Sequence, residues 1–358
     1  MSSLHRGFVR FFAAAAAVLL TAPVLLSGTA TAGSAADAPY GAGLFGAQDP
    51  TYDGVYRQGL SLLALTASNS RIDPSAVRWL ARQQCPNGGW TSYRANPSKP
   101  CGTGDTNATA IAIMALHAVG RQSTARLGLR WLEERQLRGG GWEYSSGWGA
   151  DSNSTGLALQ AFLTMGVQPR RVTNDGSGFA FLRQAQLRCS APAVQRGALD
   201  YQLQATPQAN DYATAQAAQA LARTPLPVRP TRTWVAPQRI DCSNGGATST
   251  SAAAAGYLAR TLRTNDGAIP SAFGPGVDYG STANAVLALV ASGTARKQVH
   301  AGMATLESQV RDFVLDKDGE ILPAAAALVV LAERATRGDP RDVNGMNLVA
   351  RIQRSIAR

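Results

Sequence analysis

With 358 residues, a formal net charge of +11 and 45% hydrophobic residues, the chain suffices for one large domain or two ordinary ones around a well-buried core. The basic excess is carried by arginines scattered along the chain rather than by a cluster interleaved with aromatics, so no nucleic-acid-binding module is expected. After the first apolar run no segment approaches the ~20 apolar residues of a membrane span, which excludes an integral membrane segment in the processed protein.

That first run has the layout of a secretory signal peptide. His5, Arg6 and Arg10 precede an apolar stretch from Phe11 to Leu26, and Ala30-Thr31-Ala32 supplies small residues for cleavage. Residues 1–32 are therefore expected to be removed and the protein to be exported. Residues 33–48 read as a flexible lead-in, and 49–358 as one domain.

Within 49–358 a helical face is written repeatedly: Thr, Ala or Gly, x, Ala, x, x, Ala, then Leu or Phe. Full copies start at Thr109, Thr155, Thr214 and Thr282, with weaker ones at Gln58 and Ala324. Small residues one, three and six places after the start share one helix face, so neighbouring helices can approach closely in a crowded inner ring. Six inner helices are expected at about 55–67, 106–119, 152–166, 210–223, 280–292 and 322–337. Between them lie amphipathic segments at about 74–84, 123–136, 176–187, 249–263, 297–314 and 342–357, which read as outer helices. Six hairpins of this kind close one all-α ring, an α/α toroid.

The connection from outer to inner helix carries a second repeat. Trp79-Leu80, Gln84, Gly88 and Trp90 recur as Trp131-Leu132, Gln136, Gly140 and Trp142; decayed copies include Phe181-Leu182 with Gln186 and Tyr257-Leu258 with Gly267. The glycine permits a left-handed turn, the glutamine can bond the orphan backbone groups of that turn, and the tryptophan covers it. The Pro-rich stretch 224–237 is the longest connection without an element of its own and a candidate flap over one mouth.

Cys85, Cys101, Cys189 and Cys242 are an even number in an exported chain, and their spacing fits neither a zinc ribbon nor a CxxC pair. Of the three pairings, 85 with 101 and 189 with 242 is preferred, because each closes a Gly/Pro-rich connection.

Asp105, Asp151 and Asp278 stand four places before inner-helix threonines, with Asn210 in the third repeat and Glu320 in the sixth. They read as helix caps, which is compatible with a ring of polar groups at one mouth of a barrel. The candidate ligand-binding rim is Asp105, Thr109, Asp151, Thr155, Asp278 and Thr282 with the aromatics Trp90, Trp142, Trp148, Tyr212 and Tyr279. His117, at the end of an inner helix, reads as structural. The 316–320 string reads as a hairpin turn rather than a calcium loop.

The second repeat is the QW motif of the squalene and oxidosqualene cyclases, and nearly all of 49–358 resembles the prenyltransferase and squalene-cyclase repeat superfamily. That resemblance implies an α/α toroid and no particular activity. The Asp-x-Asp-Asp acid of class II terpene cyclases is missing. So are the Asp, Cys and His zinc ligands of protein prenyltransferases, and Cys101-Gly102-Thr103-Gly104 lacks the Glu-Gln of a thioester. No catalytic residue, metal or required cofactor is therefore expected. The resemblance to the helical domain of transcobalamin and intrinsic factor implies an extracellular carrier of a small amphipathic ligand, a corrinoid being the candidate. It would work with a partner protein or uptake transporter at the cell surface. The alternatives are a cyclase-like or prenyltransferase-like enzyme on an isoprenoid, a six-hairpin glycosidase, and a cell-wall-associated structural toroid.

Overall fold

The computed structural model of the chain describes residues 40–358 save 170, 171, 244, 246, 247 and 273. The expected signal peptide and residues 33–39 lie outside the described residues.

Six helices form the inner ring: α1 (Gly54–Ala67), α3 (Thr106–Ala118), α5 (Ser152–Thr164), α7 (Asp211–Leu221), α9 (Tyr279–Ala291) and α12 (Pro323–Thr336). Each packs on the next, and α12 returns to α1, so the ring closes. These helices are buried around their whole circumference: in α3, Ala108 through Leu116 are all buried. The small residues of the repeat are what allow this. A Cβ added at Gly156 would stand 2.7 Å from the Cα of Ala217 in the next inner helix, and one at Gly59 would stand 3.0 Å from Ile111.

Outside lie α2 (Pro74–Arg82), α4 (Gln122–Glu134), α6 (Gly178–Ala185), α8 (Thr250–Thr264), α10 (Arg296–Ser308) with its short continuation α11 (Val310–Val314), and α13 (Leu348–Arg354). Each outer helix packs on the inner helix of its own hairpin. Only one face is buried; in α2 this face is Ala76, Val77, Trp79 and Leu80. The last outer helix is shorter than the expected 342–357, because Val343 pairs with Met346 around Gly345 at φ +76° and the chain turns before Leu348.

The hairpins are stapled as the second repeat requires. Gln84 Nε2 donates to Gly88 O at 2.8 Å and to Thr124 O of α4 at 3.1 Å, while Gln136 repeats this on Gly140 and Val172. The decayed copy still works, since Gln186 Nε2 donates to Gly197 O and Thr250 O. Indole Nε1 of Trp90 and of Trp142 donates to Leu80 O and Leu132 O at 2.9 and 2.7 Å, beneath the turn each covers. Disulfides join Cys85 to Cys101 and Cys189 to Cys242, the preferred pairing. Among the described residues no helix is long and apolar enough to cross a membrane.

The flexible lead-in is a correction. Over residues 40–48 it is packed: Leu44 and Phe45 are buried, and Gly43 and Gly46 donate backbone N–H to Ala357 O and Ser355 O of the C-terminal tail. Gln58 holds it to α1, accepting from Phe45 N at 2.9 Å and donating to Gly43 O at 2.8 Å. Five residues separate this segment from the first helix, and the reason it is fixed is the C-terminal tail, where Phe45 bridges Ile356. The stretch 224–237 makes its backbone contact with Gly293 and Ala295, beyond the C-terminal end of α9 and so away from the inner-helix N-termini.

Candidate functional site: the mouth of the inner ring

The inner helices run parallel, and their N-terminal ends share one mouth. Four carry the polar cap read from the sequence: Asp105, Asp151, Asn210 and Asp278 accept from the backbone N–H three residues on, at 2.9, 2.6, 2.8 and 2.8 Å. Glu320 does not belong to this set. Helix α12 starts after Leu322 without a side-chain cap and has Pro323 in its first turn, where no N–H needs a partner. Glu320 sits in a hairpin turn, its N–H donating to Asp316 Oδ1 at 2.9 Å.

The repeat threonines are a second correction to the expected rim. Thr109, Thr155, Thr214 and Thr282 are wholly buried, and each Oγ1 accepts the backbone N–H of the connection that leads into its helix. The donors are Trp90, Trp142, Leu199 and Ile269, at 2.9, 2.9, 2.8 and 2.9 Å. Trp90 and Trp142 are likewise wholly buried beneath the turn. These residues hold the connections to the ring and present no group to a ligand.

Three of the expected aromatics lie in the connections or first turns at this end of the ring without being fully buried. The connection between α4 and α5 forms a two-stranded ribbon, β1 (Trp142–Glu143) with β2 (Ala150–Asp151), and Trp148 at its tip is 49% exposed, edge-on to Tyr144 with centroids 5.9 Å apart. Tyr212 in the first turn of α7 is half-buried, as is Tyr279 beside Phe313, whose ring centroid lies 5.5 Å away. Tyr201 and Leu203 belong to the next connection, which laps onto the ribbon through Gln202 Nε2 and Trp148 O at 2.7 Å.

The structure adds residues that the sequence reading missed. Tyr56, Asn107 and Asn153 lie two places before a repeat start, as does the expected Tyr212. Gln216 and Asn284 lie two places after it, and Gln160 and Gln219 five after. Asn107 Nδ2 donates to Asn153 Oδ1 at 3.1 Å. Gln216 Nε2 of α7 reaches Tyr56 Oη of α1, on the opposite side of the ring, at 3.4 Å. The barrel is thus bridged across its axis just below the mouth. A helical period of 3.6 applied to those positions was the available signal.

Electrostatically the mouth is acidic although the chain is basic. Burial pushes the carboxyls of Asp105 and Asp151 up to about 6, against the lowering effect of the helix N–H groups. Asp211, in the first turn of α7, is raised by burial too, and Tyr257 Oη donates to it at 2.6 Å. Burial, together with the carboxylates nearby, raises the phenols of Tyr144, Tyr201 and Tyr212, and that of Tyr56 to about 12. His117 lies at the other end of α3, away from this cluster. Among the described residues no group of three or more His, Cys, Asp or Glu side chains gathers as a metal site.

Residues 52–164 match the family model of the squalene-hopene cyclase C-terminal domain. No curated protein matches the chain. Among solved structures, a protein from Actinoplanes superposes with a TM-score of 0.52 at 19% identity, covering 83% of this chain and 92% of that one. An alpha-amylase from Clostridium perfringens gives 0.53 at 11%, covering 84% and 94%. A GH76 alpha-mannanase from Bacteroides thetaiotaomicron gives 0.52 at 10%, covering 79% and 85%. At such identities the structural likeness concerns the fold alone. What the chain shares with that family model is confined to residues 52–164, the segment that holds the two full QW staples.

Proposed function

We propose that the chain is a secreted, non-catalytic toroid that binds a small amphipathic ligand at the mouth formed by the N-termini of its inner helices. The observation that carries this reading is the division of labour at the mouth. The capping carboxylates of Asp105, Asp151 and Asp278 are engaged with their own helices, whereas Trp148, Tyr212 and Tyr279 present aromatic surface over a bridged axis. Such a dish suits a body laid across the mouth with polar groups turned inward. Two disulfides support the extracellular setting. Corrinoids are the first class to test, and the protein would hand its ligand to a partner or uptake transporter at the cell surface.

The test is retention of cyanocobalamin and cobinamide by the purified protein on ultrafiltration, read by visible absorbance. Stoichiometric retention that weakens in Trp148→Ala and Tyr212→Ala supports the carrier. No retention at tens of micromolar removes the corrinoid.

One observation favours a second reading, an enzyme on an isoprenoid substrate: two carboxyls on adjacent inner helices are both held near pH 6, where an acid can give up a proton. Its test is turnover of a polyprenyl substrate, abolished by Asp151→Asn. The caps that occupy both carboxylates rank this reading second.

A further inference from the structure

The tip of the ribbon between α4 and α5 is ordered by hydrogen bonds rather than by packing. Its sequence is Ser146-Gly147-Trp148-Gly149, so the tryptophan stands between two glycines, at φ +89° and +79°. Glycine loses more conformational freedom on ordering than any other residue, and an aromatic so flanked is by itself mobile. A Cβ added at Gly147 meets nothing within 4 Å, and one at Gly149 meets only the side chain of Gln202, 3.5 Å away. Neither glycine is fixed by packing against the ring.

Gly147, Trp148 and Gly149 are nevertheless all tied. One carboxylate oxygen, Glu143 Oε2, accepts the N–H of Gly147 and that of Gly149, both at 3.0 Å. Between them Trp148 N–H donates to Ser145 O at 3.1 Å. From the next connection, Gln202 Nε2 donates to Trp148 O at 2.7 Å and to Gly149 O at 3.2 Å. The base is fixed as well, since Thr106 N–H at the start of α3 donates to Tyr144 O at 2.9 Å. Hydrogen bonds to a charged acceptor are the stronger kind, and Glu143 is the one charged group in this set.

What these bonds fix is the indole. Trp148 is 49% exposed and edge-on to Tyr144, and Leu203, next to Gln202 in the chain, is also 49% exposed. Trp79, Trp90 and Trp142 spend Nε1 on backbone carbonyls, whereas Nε1 of Trp148 has no protein partner among the described residues. Bonds that freeze an exposed aromatic without packing it serve what the aromatic meets.

Resting on the reading of Trp148 as a ligand contact, we propose that Glu143 is a positioning residue of the mouth site. Its carboxylate holds the ribbon tip so that the indole is preorganised for the ligand, with Gln202 as the second tie. The tip is then ordered before binding, and the ligand does not have to supply that order.

The emission of Trp148 is isolated as the difference between each protein and its Trp148→Phe counterpart. Its fluorescence anisotropy is measured beside cyanocobalamin retention on ultrafiltration. Glu143→Ala is expected to lower the anisotropy of Trp148 and to weaken retention about fivefold, the worth of one side chain that must be immobilised on binding. Glu143→Gln keeps an oxygen that accepts the same two N–H groups and restores both readings, while Gln202→Leu lowers both. Urea midpoints stay unchanged in the three variants, since the two tip glycines carry no packing. Unchanged anisotropy in Glu143→Ala would overturn the proposal. So would a mobile Trp148 with undiminished retention, a Glu143→Gln variant as impaired as Glu143→Ala, or a retention loss that tracks a lowered urea midpoint. If the unaltered protein retains no cyanocobalamin, the corrinoid reading falls, and the anisotropies of the same variants alone uphold or overturn the clamp on Trp148.

Discussion

Replacing Thr155 by Val tests whether the repeat threonine belongs to the architecture or to a binding rim. Valine has nearly the same shape, so no cavity opens and the change isolates one hydroxyl. In the native protein Oγ1 accepts Trp142 N–H at 2.9 Å in a wholly buried site. Thr155→Val leaves that N–H without an acceptor, which costs about 1–3 kcal/mol. Thr155→Ser keeps the hydroxyl and loses one buried methyl, worth about 0.8 kcal/mol. At Thr214 the same hydroxyl also donates to Asn210 O at 2.6 Å, so Thr214→Val is expected at the upper end of that range. Urea unfolding followed by tryptophan fluorescence and circular dichroism gives the differences directly. A Val variant as stable as the parent, or a Ser variant worse than Val, would refute the structural role assigned to all four threonines.

Three further predictions follow from the same structure. Gly197 lies at φ +96° with its Cβ position 2.3 Å from Ala253 O, whereas Gly120 at φ +79° meets nothing within 4 Å. Thermal unfolding should therefore show Gly197→Ala costing about 2 kcal/mol or more and Gly120→Ala about 1. Removing the Cys189–Cys242 bridge, with a separation of 53 residues, should cost about 4 kcal/mol, against about 3 for Cys85–Cys101 with 16; urea midpoints of the paired Ser variants decide this. Burial raises Asp105 and Asp151 to about 6 and Glu333 to about 7, so the folded state holds protons that the unfolded chain has released. Their contribution favours folding at low pH and is lost as pH rises from about 4 through 7, and Asp151→Asn should flatten that slope in unfolding free energies measured at pH 4.5, 6 and 7.5.

The hairpin order, the inner and outer faces and the staples were legible because each is a short-range pattern. Small residues recur at helical spacing in Thr109–Leu116 and its copies, and Gln84, Gly88 and Trp90 act within one connection. The caps were legible for the same reason: Asp105 needs only the N–H groups three residues on. The packed lead-in was not, since Gly43 and Gly46 depend on carbonyls of the C-terminal tail more than three hundred residues away. Burial also separated residues that sequence treated alike. Trp90 and Trp148 are both tryptophans of outer-to-inner connections, yet one lies under a turn and the other at the tip of a ribbon.

Local repetition by itself therefore determined that the chain closes six hairpins into a ring, because helix period and turn chemistry are properties of neighbouring residues. Which side chains meet at the mouth was decided only by ring closure. Tyr56 and Gln216 are 160 residues apart, and only the return of α12 to α1 sets them face to face across the axis.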